Sequence, residues 1–124
     1  MIIEAIKPSS AYTFPGIMEH NYNEYSIVRD VCNYFQVPYE EVKSISRLTR
    51  VRLPRQVAMF FINKMYPKLG SVYIGKMFDR DHATALHSFK AVENMIFTQP
   101  DFRHNMNELE RIIKISKGGN KIVE

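Results

Sequence analysis

The sequence predicts an all-α fold of six helices in one domain, on three observations. Apolar residues recur at helical spacing in successive segments. No segment alternates apolar and polar residues with period two for long enough to make a sheet strand. Prolines, glycines and capping residues fall between the periodic segments. The 124 residues are enough for one core and too few for two. Hydrophobic residues make up 45%, and 8 Phe and 7 Tyr supply large apolar material for that core.

Residues 1–22 contain Pro8, Ser9, Ser10, Pro15 and Gly16 without helical period, and read as an extended or disordered arm. The folded domain is expected over 23–117, with 118–124 a flexible tail. Asn23 is placed to cap a first helix carrying Ile27, Val28, Val31, Cys32 and Phe35 and ending near Gln36, before Val37 and Pro38. Tyr39 to Ser44 predicts a short second helix, with Glu40 and Glu41 in its first turn. Ile45 to Arg52 reads as a basic loop. Pro54 then fits the first turn of a helix whose stripe is Val57, Phe60, Phe61 and Met65, stopped by Pro67. Ser71 is placed to cap a short helix from Val72 to about Phe78. A tight turn, Asp79 to Asp81, leads into a helix over His82–Phe97 with Asp81 as its cap and Leu86, Phe89, Val92 and Ile96 inward. Pro100 opens a last helix with Phe102, Met106, Leu109, Ile112 and Ile113 inward, ended by Gly118 and Gly119.

Charge narrows the partners. Net charge is +4, but its distribution is uneven. Residues 43–90 hold ten basic residues against Asp79 and Asp81, whereas residues 1–42 hold six acidic residues against Lys7 and Arg29. A basic block of this kind is the footprint expected of a phosphate-binding face. One cysteine, Cys32, allows no internal disulfide and fits a reducing cytoplasm; its place on an apolar stripe marks it as core rather than nucleophile. No apolar run reaches membrane-spanning length and no signal-peptide pattern opens the chain, so a cytoplasmic location and no membrane partner are expected. None of the five glycines begins a phosphate-cradling loop, so no nucleotide, cofactor or enzymatic activity is expected. His82 and His87 lie five apart on a helix, about 140° around its axis, and cannot share a metal ion.

A short helix, a turn of about three residues and a longer helix make a helix-turn-helix, whose second helix enters the DNA major groove by its N-terminal residues. Those residues are Arg80, Asp81, His82, Ala83 and Thr84. Arginine suits guanine, aspartate accepts from the cytosine amino group, and alanine packs on a thymine methyl.

The stretch from Arg47 to His87 resembles the C-terminal DNA-binding domain of the bacterial chromosomal replication initiator DnaA. Three pieces carry the likeness: the basic loop running into Pro54-Arg55-Gln56-Val57-Ala58-Met59, the pair Ile74-Gly75, and Arg80-Asp81-His82-Ala83-Thr84-Ala85-Leu86-His87. The resemblance implies a protein that binds double-stranded DNA sequence-specifically, in replication-linked or transcriptional control. It implies base reading by Asp81, His82 and Ala83 in the major groove and by Arg47 in the minor groove. Arg55, Gln56, Thr84 and His87 fall on positions that grip the phosphate backbone, and Arg50 and Arg52 of the basic block join them. Three departures stand out. Ala83 replaces a threonine, a Gly-Gly pair before Arg80 is shortened to Phe78-Asp79, and the loop from Pro67 to Gly70 is one residue longer. The family's ATPase motif is absent from these residues, so this sequence is not expected to act by itself as a complete initiator. The competing readings are a nonspecific nucleic-acid binder and a protein-interaction module that has lost DNA.

Overall fold

The computed structural model describes residues 22–44 and 48–118. Most of the expected arm, the C-terminal tail from residue 119, and Arg47 therefore lie outside the described residues. The described residues form six α-helices: α1 (Glu24–Phe35), α2 (Tyr39–Lys43), α3 (Thr49–Met65), α4 (Gly70–Met77), α5 (His82–Thr98) and α6 (Pro100–Gly118). A 3-10 turn, Pro67–Leu69, joins α3 to α4, and no strand occurs among the described residues. The all-α expectation is met.

Local chemistry explains the ends of these helices. The Asn23 side chain accepts hydrogen bonds from the Tyr25 and Ser26 amides, while Ser26 accepts from the Asn23 amide at 3.0 Å, a reciprocal capping box. At the other end of α1, Gln36 takes a left-handed conformation (φ +59°). The Gln36 amide donates to Asn33 and the Val37 amide to Cys32, a Schellman closure. Gln99 closes α5, and the Arg103 guanidinium donates to the carbonyls of Ile96 and Phe97, where a cation also meets the negative end of the helix dipole.

Helix α3 is the hub: α1, α2, α4 and α5 all pack on it, and α6 returns across α5 and α1. Ile27, Val31, Phe61, Ile62, Ile74, Phe78, Val92, Leu109 and Ile113 share one buried cluster, so every long helix anchors the same core. Cys32 lies within it, with burial raising the thiol pKa to about 12, as the core assignment expected. Tyr22 packs against the cluster, its hydroxyl donating to Asp30 Oδ2 at 2.6 Å.

Three expectations are corrected. The basic loop is shorter, because α3 begins at Thr49 and carries Arg50 and Arg52 in its first turn. Pro54 consequently sits inside the helix rather than in its opening turn. That first turn is held by Val51, only 1% exposed, and by the Leu48 carbonyl, which accepts from the Val51 and Arg52 amides. Ser71 is not a cap, because the 3-10 turn carries the chain into α4 at Gly70, whose φ of +84° suits glycine. Leu86 is 52% exposed; the buried face of α5 runs through Ala85, Ser88 and Val92. Ala85 and Ser88 are buried, and Leu86, about 100° around the helix from Ala85, falls on the exposed side.

Candidate nucleic-acid interface

Helices α4 and α5 form the helix-turn-helix, and a glycine makes its tight turn possible. A Cβ on Gly75 would lie 2.7 Å from the Arg80 carbonyl oxygen and 2.8 Å from that of Asp81. The Arg80 amide donates to the Gly75 carbonyl at 2.8 Å, so the turn lies directly on the glycine. Asp79 takes a positive φ of 58° within this turn. Ile74, Met77 and Phe78 secure the unit from below, with Phe78 fully buried.

The turn presents the start of α5 to solvent. Asp81, His82 and Ala83 are all exposed there. Asp81 caps the helix, its Oδ1 accepting from the Thr84 amide at 2.9 Å. The hydrogen bonds from Thr84 hold the Asp81 carboxyl below its ordinary pKa. The N-cap assignment is correct, and the cap fixes the direction in which α5 leaves the turn.

Beside this edge runs a cleft of about 460 Å³ between α3 and α5. Arg52, Arg55 and Gln56 line it from α3, and Thr84, His87, Ser88, Ala91 and Met95 from α5. The structure thus brings together five of the six residues assigned to the DNA backbone. Arg50 is not among them; its Nη1 pairs with Glu41 Oε1 at 2.8 Å. Ser88 is buried, and its hydroxyl donates to the Thr84 carbonyl at 2.9 Å, holding the α5 wall.

Two arginines sit differently from the simplest reading of the sequence. Arg55 is only 5% exposed, with Nε donating to the Val42 carbonyl at 2.7 Å and Nη2 to the Ser44 carbonyl at 3.0 Å. Burial, with Arg80 and Arg52 nearby, lowers its pKa to about 10. Arg80, grouped by sequence with the groove residues, folds back: Nη1 donates to the Phe78 carbonyl and Nη2 to the Ser44 carbonyl at 2.7 Å. Lys64 pairs with Glu110 at 3.0 Å, so this member of the basic block also serves the fold. Sequence reasoning treated the block as one face; no periodicity distinguishes an arginine that meets solvent from one that meets a carbonyl.

An all-α domain with an exposed recognition-helix start beside an arginine-lined cleft belongs to the DNA-binding helix-turn-helix class. The family model described as "Bacterial dnaA protein helix-turn-helix" matches residues 25–92, and the chain belongs to that family. The chain is 31% identical over 113 residues to the chromosomal replication initiator protein DnaA of Wolbachia sp. subsp. Brugia malayi (strain TRS). That match covers 86% of this chain and 24% of that protein. It is 33% identical over 110 residues to the same protein of Wolbachia pipientis wMel, with 86% and 24% covered. With that of Flavobacterium psychrophilum it shares 37% identity over 90 residues, covering 72% of this chain and 19% of that protein. The chain spans about a quarter or less of the length of these curated relatives.

Proposed function

We propose that this chain binds a short double-stranded DNA site sequence-specifically, without catalysis and without a nucleotide cofactor. The observation that carries the reading is the cleft between α3 and α5, with Arg52, Gln56, Thr84 and His87 beside the exposed Asp81, His82 and Ala83. Backbone phosphates seated along this cleft would accept from Arg52 and from the neutral donors, which fixes orientation without sequence information. The start of α5 then faces base edges in the major groove, where all four base pairs differ; Arg47 reads the minor groove, where A·T and G·C differ. Arg55, being buried, shapes the cleft floor and adds positive potential. Arg50 joins the phosphate contacts by exchanging Glu41 for DNA, an exposed pair worth about 0–1 kcal/mol and readily given up.

The relatives are named chromosomal replication initiators, which supports a replication-linked role; a role in transcriptional control would call on the same surface. The reading places the protein with cytoplasmic DNA, and no described helix is long and apolar enough to cross a membrane.

Variants at the two readers test the mechanism. Losing a base contact costs about 1–3 kcal/mol and relaxes preference at that position alone. Arg47→Ala is expected to weaken binding and flatten an A·T preference at one end of the site. His82→Ala is expected to relax one or two positions several base pairs away. Gln56→Ala should weaken every sequence alike. Uniform losses from Arg47→Ala and His82→Ala across a randomised site, measured by quantitative selection, would favour the nonspecific reading instead.

A further inference from the structure

A single exposed leucine is ordinary on a protein surface. The place of Leu86 on α5 is what gives it meaning. Leu86 is 52% exposed, and of the two exposed large hydrophobics on α5 it alone lies in the first two turns; Phe97 is at the far end. The helical repeat puts Leu86 about 40° around the axis from His82 and about 60° from Ala83, between the two and roughly one turn behind them. All three are exposed. The Cα–Cβ bonds of a helix tilt toward its N-terminus, so the Leu86 side chain leans over the turn that carries His82 and Ala83. Thr84 and His87 line the cleft against α3 instead, and Ala85 and Ser88 are buried. Leu86 therefore shares the edge assigned to bases, not the wall assigned to phosphates. An isobutyl group can offer no hydrogen bond there. The apolar group that a base pair presents in the major groove is the thymine C5 methyl.

We propose that Leu86 is a specificity-determining residue that packs on a thymine methyl one or two base pairs from the positions His82 reads. The proposal rests on α5 entering the major groove by its first turn, as in the function proposed above. Four residues of helical rise, about 6 Å, span between one and two base-pair steps of about 3.4 Å. The contact removes apolar surface of both partners from water, and it distinguishes thymine from cytosine, which has no methyl.

The test scans the site that wild type selects from a random duplex pool. Each thymine in turn is replaced by uracil, which removes the methyl and keeps every hydrogen-bonding group. Fluorescence anisotropy then reads the affinity of wild type, Leu86→Ala, Leu86→Gln and Leu86→Met, each as the full chain. At one thymine the replacement is expected to weaken wild type about three- to fivefold, the size of one buried methyl group. Leu86→Ala and Leu86→Gln should bind the thymine and uracil duplexes alike at that position, whereas Leu86→Met, which keeps an apolar end, should still lose about twofold. An apolar contact releases no counterions, so the wild-type loss should be the same at about 50 and 200 mM salt. Alanine and glutamine both favour helix, and Leu86→Gln carries the test if Leu86→Ala does not fold. The proposal is overturned if no thymine methyl matters to wild type, or if every methyl dependence of wild type persists in Leu86→Ala, while wild type still selects a site. A wild-type chain that selects no site would overturn the underlying reading, and this proposal with it.

Discussion

Gly75→Ala is expected to destabilise the domain by about 2 kcal/mol or more, although alanine is the better helix former by about 1 kcal/mol. The new methyl would sit 2.7 Å and 2.8 Å from two backbone carbonyl oxygens, those of Arg80 and Asp81, which no rotamer change can move aside. The turn must shift, and with it the Arg80–Gly75 amide bond and the Asp81 cap that aims α5. For a domain of this size each kcal/mol corresponds to about 4–8 °C in Tm. Specific DNA binding should fall more than stability alone requires, because base contacts tolerate little misplacement. Gly118→Ala is the control: nothing lies within 4 Å of its added Cβ, and stability should hold. Thermal unfolding of both variants checks the expectation. A Gly75→Ala protein as stable and as selective as wild type would mean that the turn does not rest on this glycine.

The second large effect is the dependence of binding on salt. Neutralising Z phosphates releases counterions and gives a log–log slope of about −0.9Z, so roughly five contacts give a slope near −4 to −5. Between 50 and 200 mM salt the affinity should then fall by about 250- to 1,000-fold. The structure refines which charges contribute. Arg55 and Arg80 are bound to carbonyls and Lys64 to Glu110, which leaves Arg52, Arg50 once released from Glu41, Arg47, the half-buried Lys43 and the exposed lysines Lys68, Lys76 and Lys90 as candidates. Fluorescence anisotropy titrations over this salt range measure the slope. A slope near zero would show that the basic face is not used.

Much of this architecture was legible in the sequence, because periodicity and capping report on single helices. Asn23 and Asp81 cap as expected, and the apolar stripe of α1 is the buried one. Failures came where two helices decide together. Leu86 fits a helical stripe, yet packing buries Ala85 and Ser88 and leaves Leu86 52% exposed. Pro54 signals a first turn, yet Val51 finds the core and draws the helix start back to Thr49. At the candidate interface, residue types and the Arg-Asp-His motif singled out one edge of the molecule, the exposed start of α5. What they could not give was the destination of each guanidinium. Arg80 and Arg55 are bound to backbone carbonyls 36 and 11 residues away in sequence, a property of the tertiary fold alone.

Selection of bound sequences from a random duplex pool, followed by competition with unrelated duplex, directly measures sequence-specific recognition of duplex DNA by the whole chain. Enrichment of one short site is expected, discriminated among all four base pairs where α5 reads it and between A·T and G·C at one end, with unrelated duplex competing weakly. A pool that returns no enriched site, with unrelated duplex competing as well as any other, would contradict it.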